Sequence, residues 1–153
     1  KNIVQDFLLM SQLKDNTLVL RKSDFRLDDL LYDTLERMRP ALTQSAFELK
    51  LSIEAAPERF ELYADREKLE AVLVNLFDNA RKYGSNTEPI AVQLIESENQ
   101  LSLSIENALV TDSSLLQKGM GLGLQIARQI VQKHGFVFEQ ERGEGVFRVR
   151  LGF

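Results

Sequence analysis

The stretch from Asp65 to Gly84 constrains this chain most, because one helix there has to meet two different demands. Leu69, Val72, Leu73, Leu76, Phe77 and Ala80 recur three and four residues apart, so they form an apolar stripe that must face a core. Asp65 stands where an N-cap belongs, and Gly84 where a helix stops. Asn75, Asp78, Asn79 and Lys82 fall in the middle and last turns of the same helix. Asn and Asp are poor helix-interior residues, since their side chains compete for backbone hydrogen bonds. Something other than helix stability therefore favours them there. Positions 75, 79 and 82 share a face. Mg2+ keeps several waters and phosphate oxygens and needs only one or two protein oxygens, so this face suits a Mg-nucleotide. A solvated face with an internal Asp78–Lys82 pair, worth roughly 0.3 kcal/mol, also accounts for the stripe taken alone.

The rest of the chain supplies a sheet for that helix to cover. Phe47 to Glu54, Ile90 to Leu94 and Leu101 to Ile105 alternate apolar and polar residues, as half-buried strands do. Phe136 to Glu139 leads through Gly143-Glu144-Gly145 into a strand where Phe147, Val149 and Leu151 alternate with Arg148 and Arg150, which predicts a closing hairpin. Leu27, Leu30, Leu31, Leu35 and Met38 mark an amphipathic helix with Asp28 and Asp29 in its first turn, and Pro40 is expected to kink or end it. Leu124, Ala127, Ile130 and Val131 mark another, stopped by Gly135, with His134 read as a residue that favours the helix dipole at its C-terminus. Ile3, Val4, Phe7, Leu8 and Leu13 give a short first helix that ends near Lys14-Asp15-Asn16 and packs against something outside the chain. The expected fold is α+β: a two-layer α/β sandwich, its mixed, mostly antiparallel sheet covered by three helices and preceded by a helical stub.

Gly119-Met120-Gly121-Leu122-Gly123-Leu124 runs directly into a helix. Glycines let a backbone approach phosphate closely, and the free N–H groups of a helix start attract anions. No Gly-Lys-Ser/Thr follows, so this is not a P-loop, and the spacing is wrong for the dinucleotide fingerprint. A flexible hinge reads the glycines equally well when they are taken alone.

Bulk properties exclude more than they assign. The 153 residues suffice for one domain. A net charge of -4 argues against nucleic acid as the main partner. The absence of cysteine removes disulfides and thiolate metal sites and is compatible with a reducing compartment. No apolar run approaches the roughly 20 residues needed to span a bilayer, and no signal peptide is visible. A chain that opens on Lys1 reads as a piece of a longer protein.

Two motifs together are more specific than either alone. Asn75-Leu76-Phe77-Asp78-Asn79-Ala80-Arg81-Lys82-Tyr83 resembles the N box of sensor histidine kinases, and Gly119 to Leu124 resembles their second glycine box. Asp65-Arg66-Glu67-Lys68-Leu69 is similar to the lead-in to their N-box helix, and Gly143-Glu144-Gly145-Val146-Phe147 to their closing hairpin. The resemblance implies the Bergerat ATP-binding fold, with residues 1–16 as the end of the dimerisation (phosphoacceptor) helix hairpin and 17–153 as the catalytic domain. It implies ATP and Mg2+ as cofactors, with Asn79 on the metal and Asn75 supporting it. Lys82 and Tyr83 would contact phosphate and ribose, and the turn formed by Gly119, Gly121, Leu122, Gly123 and Leu124 would meet phosphate oxygens through its backbone. The implied reaction is transfer of the ATP γ-phosphoryl group to a histidine on the dimerisation helices, achieved mainly by positioning and charge neutralisation. The implied partners are that dimerisation domain, as a homodimer in the full-length protein, and a response regulator. The implied location is the cytoplasm, with any anchor in the inner membrane supplied by segments outside this chain.

The chain departs from the family pattern in one region. Asn107 falls where an adenine-binding Asp belongs, and Leu109 replaces a glycine. A neutral amide oxygen accepts more weakly than a carboxylate. The segment from Ala108 to Lys118 is short for an ATP lid, and Lys118 reads as a solvated surface lysine. His134, the only histidine, stands at a helix end and not on a dimerisation hairpin, so this chain is expected not to phosphorylate itself. Two other readings remain. One is a degenerate regulatory module that binds nucleotide weakly or not at all. The other is a different Bergerat-fold ATPase, although Asn75 occupies the region where those enzymes carry a general-base Glu.

Overall fold

The computed structural model describes residues 3–110 and 121–153. The alternating segments pair into one sheet of five strands: β2 (Leu49–Glu54), β4 (Ile90–Ser97), β5 (Gln100–Ala108), β6 (Val137–Gly143) and β7 (Val146–Gly152). Their order is β2-β4-β5-β7-β6. β2 runs parallel to β4, and the other pairings are antiparallel, so the sheet is mixed and mostly antiparallel. Two-residue turns join β4 to β5 at Glu98-Asn99 and β6 to β7 at Glu144-Gly145. All four residues take positive φ, which matches the twist of the strands they connect. β1 (Ser23–Arg26) and β3 (Glu61–Ala64) form a separate antiparallel ribbon.

Strand alternation decides what each face of the sheet meets. Ile90, Val92, Leu94, Leu101, Leu103, Ile105, Phe147, Val149 and Leu151 are buried in one core with the stripes of α2 (Leu27–Gln44), α3 (Arg66–Tyr83) and α4 (Leu122–Lys133). The residues between them carry cross-strand ion pairs, with Arg148 joining Glu106 and Glu141, and Arg150 joining Glu139. Such exposed pairs contribute little each, so the apolar face holds the sandwich together.

Two local expectations are corrected. Pro40 does not end α2, which continues to Gln44. Pro40 and Glu36, the residue whose carbonyl loses its helical partner, are both exposed, so water can satisfy that carbonyl. His134 is not a cation on the α4 dipole. Its Nε2 accepts the Asp65 backbone N–H at 3.0 Å, which leaves the ring proton on Nδ1, 2.9 Å from the Ile130 carbonyl. Burial holds its pKa below the ordinary histidine value, against the pull of the Ile130 carbonyl; nearby Lys22 lowers it further and Asp65 opposes. The ring completes the end of α4 by hydrogen bonding, with no charge.

α1 (Ile3–Lys14) packs on α4 and buries Met10, with Leu9 and Leu13 partly covered. Its other face leaves Ile3, Val4, Phe7 and Leu8 60–74% exposed. No described helix is long and apolar enough to cross a membrane.

Candidate functional site

The site lies where the end of α3 meets the start of α4. The Asp65 N-cap of α3 bonds His134 at the end of α4, and Tyr83 at the end of α3 shares a cavity with the first residues of α4. The two helices therefore run antiparallel. That cavity has a volume of about 440 Å³, and its wall includes Asn75, Asp78, Asn79, Lys82 and Tyr83 from α3 and Gly121, Leu122, Gly123 and Leu124 from the α4 start. The polar stripe and the glycine turn, about forty residues apart in sequence, thus face one space. Gly119 lies outside the described residues, as do Met120 and Lys118.

The asparagines of this wall differ from its paired Asp78 and Lys82. Among the described residues, the side chains of Asn75 and Asn79 have no hydrogen-bond partner. Asn75 is only 6% exposed. Its amide is not among the buried polar atoms that lack a partner, so water reaches it now and a ligand can take the water's place. Gly121 caps α4 without a side chain, and while the Leu124 N–H donates to the Gly121 carbonyl at 3.2 Å, no described side chain takes the amides of Leu122 and Gly123, which can meet an anion. A Cβ on Gly121 would meet nothing within 4 Å, and its φ of -68° is ordinary. Among the described residues no packing requires glycine there, and a ligand could approach its bare backbone.

Asp78 organises the cations beside the cavity. Burial raises its pKa, but the hydrogen bond from Arg81 and the charge of Lys82 outweigh it, and the net shift is downward. Arg81 Nη2 lies 2.7 Å and Lys82 Nζ 3.3 Å from its carboxylate. The pair expected between Asp78 and Lys82 exists, yet Lys82 is half exposed and can turn toward an anion in the cavity. Among the described residues no group of three or more acidic or histidine side chains could hold a metal by itself. A hard cation here would depend on the amide oxygens of Asn79 and Asn75, on water and on a ligand's own phosphates, a donor set that fits Mg2+.

The end of α3 is fastened to the sheet. Ser85 N donates to the Ala108 carbonyl at 2.7 Å, Leu109 N to the Gly145 carbonyl at 2.7 Å, and Gly84 bridges Leu109. Gly84 is required by space: a Cβ would sit 2.3 Å from the Ala80 carbonyl and 2.9 Å from Asn107 Nδ2. Asn107 is buried below this junction, donates to the Ala108 carbonyl at 3.0 Å, and is not among the residues that line the cavity. Three wall residues were not foreseen, namely Ile3, Asp6 and Phe7 of α1. Their helical spacing was legible, but no sequence signal says that α1 folds back on α4.

Known proteins share this fold. GacS, a sensor histidine kinase of Pseudomonas protegens, is 29% identical over 155 residues, which cover 87% of this chain and 17% of GacS. The chain therefore spans less than a fifth of that relative's length. The structure of the histidine kinase AdeS of Acinetobacter baumannii superposes with a TM-score of 0.80 at 21% identity, covering 99% of this chain and 76% of that one. The histidine kinase ThkA, solved in complex with the response regulator TrrA, gives a TM-score of 0.72 at 19% identity over 99% of this chain and 47% of that one. Residues 64–152, which hold α3, the cavity's polar wall and the whole antiparallel part of the sheet, match the family described as histidine kinase-, DNA gyrase B- and HSP90-like ATPases, and the chain belongs to that family.

Proposed function

We propose that this chain is the ATP-binding catalytic domain of a sensor histidine kinase, passing the ATP γ-phosphoryl group to a histidine on dimerisation helices that lie outside it. The observation that carries the proposal is the single cavity shared by Asn75, Asn79, Lys82 and Tyr83 with the uncapped start of α4. In this reading residues 1–16 are the end of the dimerisation hairpin and 17–153 the catalytic domain. The parent protein acts as a homodimer in the cytoplasm and hands its phosphoryl group to a response regulator, as the ThkA–TrrA complex supports.

The residues divide the work by position. Asn79, supported by Asn75, would hold Mg2+. Magnesium, when bound, neutralises phosphate charge beside the transferring group. Lys82 exchanges part of its contact with Asp78 for a phosphate oxygen, and Tyr83 meets the ribose. The amides of Gly121 and Gly123 fix the triphosphate at the α4 N-terminus, where the helix dipole favours negative charge. No acidic side chain stands at Asn75 to draw a proton from water, which favours transfer to a protein nucleophile over hydrolysis.

His134 is not the acceptor, since it is buried with both ring nitrogens engaged. Incubated with γ-labelled Mg-ATP, the chain alone should take up no label. Adding the parent's dimerisation hairpin should place acid-labile, base-stable label on that hairpin. Release of inorganic phosphate without transfer would instead favour the hydrolytic branch of the family. A second reading draws on Asn107, which lies outside the cavity wall. Without an adenine acceptor the domain would be a weak-binding regulatory module, and failure to bind Mg-ADP at millimolar concentration would support it.

A further inference from the structure

At the opposite end of the α3–α4 pair from the cavity, one residue gathers three segments. Asp65 Oδ1 accepts the Lys68 N–H at 3.0 Å and so caps α3. Its Oδ2 accepts the Arg21 N–H at 2.9 Å and so fixes the link from α1. Its own N–H donates to His134 Nε2 at 3.0 Å and so reaches the end of α4. His134 is 8% exposed and stacks on Phe136 at 5.3 Å between centroids. A second tie, Lys133 Nζ to Asn16 Oδ1 at 2.9 Å, binds the end of α1 to the same corner.

We propose that His134 is a positioning residue for the nucleotide site, holding α3 in register against α4 through Asp65 for as long as its Nε2 carries no proton. The inference rests on the nucleotide-binding reading above. α3 has 18 residues and α4 has 12, or about 27 and 18 Å of helix, so a slide or tilt at the Asp65 corner is carried to Asn75, Asn79 and Gly121. The Asp65 N–H can only donate. A protonated imidazole can only donate too, so protonation replaces the bond with two opposed hydrogens. The charged groups facing the ring among the described residues are Lys22 on the link and Asp65 on α3. Lys22 opposes protonation, and Asp65 already spends both carboxylate oxygens on Lys68 and Arg21. Because folding lowers the proton affinity of the ring, the latch stabilises the fold above the ordinary histidine range of about 6.5. That contribution is lost as pH falls through the lower folded value.

His134 is the only histidine in the chain, so its ring resonance reports the latch without ambiguity. The test follows that resonance, the backbone amides of Asn75, Asn79, Gly121 and Gly123, and Mg-ADP affinity, between about pH 7.5 and about pH 5. In the wild type the four amides should titrate with the ring, and Mg-ADP should bind roughly fivefold more weakly at the acid end. His134→Gln places a neutral acceptor at the same reach, so its amides and affinity should stay flat once the ligand's own titration, common to both proteins, is subtracted. His134→Leu should bind weakly at every pH. Should His134→Leu not fold, the wild type and the Gln variant still decide. Amides that ignore the ring, or a Gln variant with the wild-type pH profile, would overturn the proposal. If Mg-ADP fails to bind at neutral pH, the nucleotide reading falls, while co-titrating amides would still support the latch as the register of this helix pair.

Discussion

The two ends of the α3–α4 pair use similar residue types in opposite ways. At the Asp65 end every polar group is engaged: both carboxylate oxygens, the backbone N–H and both ring nitrogens of His134. At the Tyr83 end Asn75 and Asn79 have no side-chain partner among the described residues, and α4 starts without a side-chain cap. The first end spends its polarity on the fold. The second leaves two asparagines without a protein partner, and both face the cavity. The contrast shows where stability and binding have been separated along a single helix, because α3 begins in one regime and ends in the other.

Substitutions at the two ends should therefore separate folding from binding. The largest effect is expected at Gly84, which belongs to the fold although it stands beside the cavity. Gly84→Ala drives a methyl group against the Ala80 carbonyl and should cost about 3 kcal/mol in chemical denaturation. Asp65→Ala removes a cap and the tether to Arg21 but keeps the backbone N–H that bonds His134, so it should cost about 2 kcal/mol while the α3–α4 register, and with it the cavity, is retained. Gly121→Ala should change stability by about 0.5 kcal/mol or less, since the added methyl meets nothing, yet weaken Mg-ADP measurably. A loss of stability at Gly121 as large as at Asp65 would erase the distinction between the ends.

How much of this was legible in the sequence follows from the range of each interaction. The strands around Val92, Leu103 and Val149 alternate because one face is buried, so face and period could be read directly. The neighbours of a strand could not, since a period of two names the face but not the partner. The parallel pairing of Leu49–Glu54 with β4 depends on how the intervening α3 crosses over. The cavity's polar wall was legible because Asn75 and Asn79 violate helix preference, and a residue that breaks a local rule signals a tertiary reason. Asn107 was placed by its position in a motif alone, and its side chain lies beneath Gly84 and outside the cavity wall. The bond between Asp65 and His134 spans 69 residues, and no local pattern carries such a contact, so the sequence places His134 only at a helix C-terminus that suits the dipole, where the structure makes it a neutral acceptor.

The central claim is that the end of α3 and the start of α4 enclose one Mg-nucleotide. Thermal unfolding with and without Mg-ADP tests it most directly, in the wild type and in Asn79→Ala. At a hundred times Kd the wild type should gain about 2.7 kcal/mol. Asn79→Ala should be roughly 0.5 kcal/mol more stable without ligand, because alanine suits the helix better, and should lose the magnesium-dependent gain. Equal gains in the two proteins, or no gain in the wild type at millimolar Mg-ADP, would contradict the account.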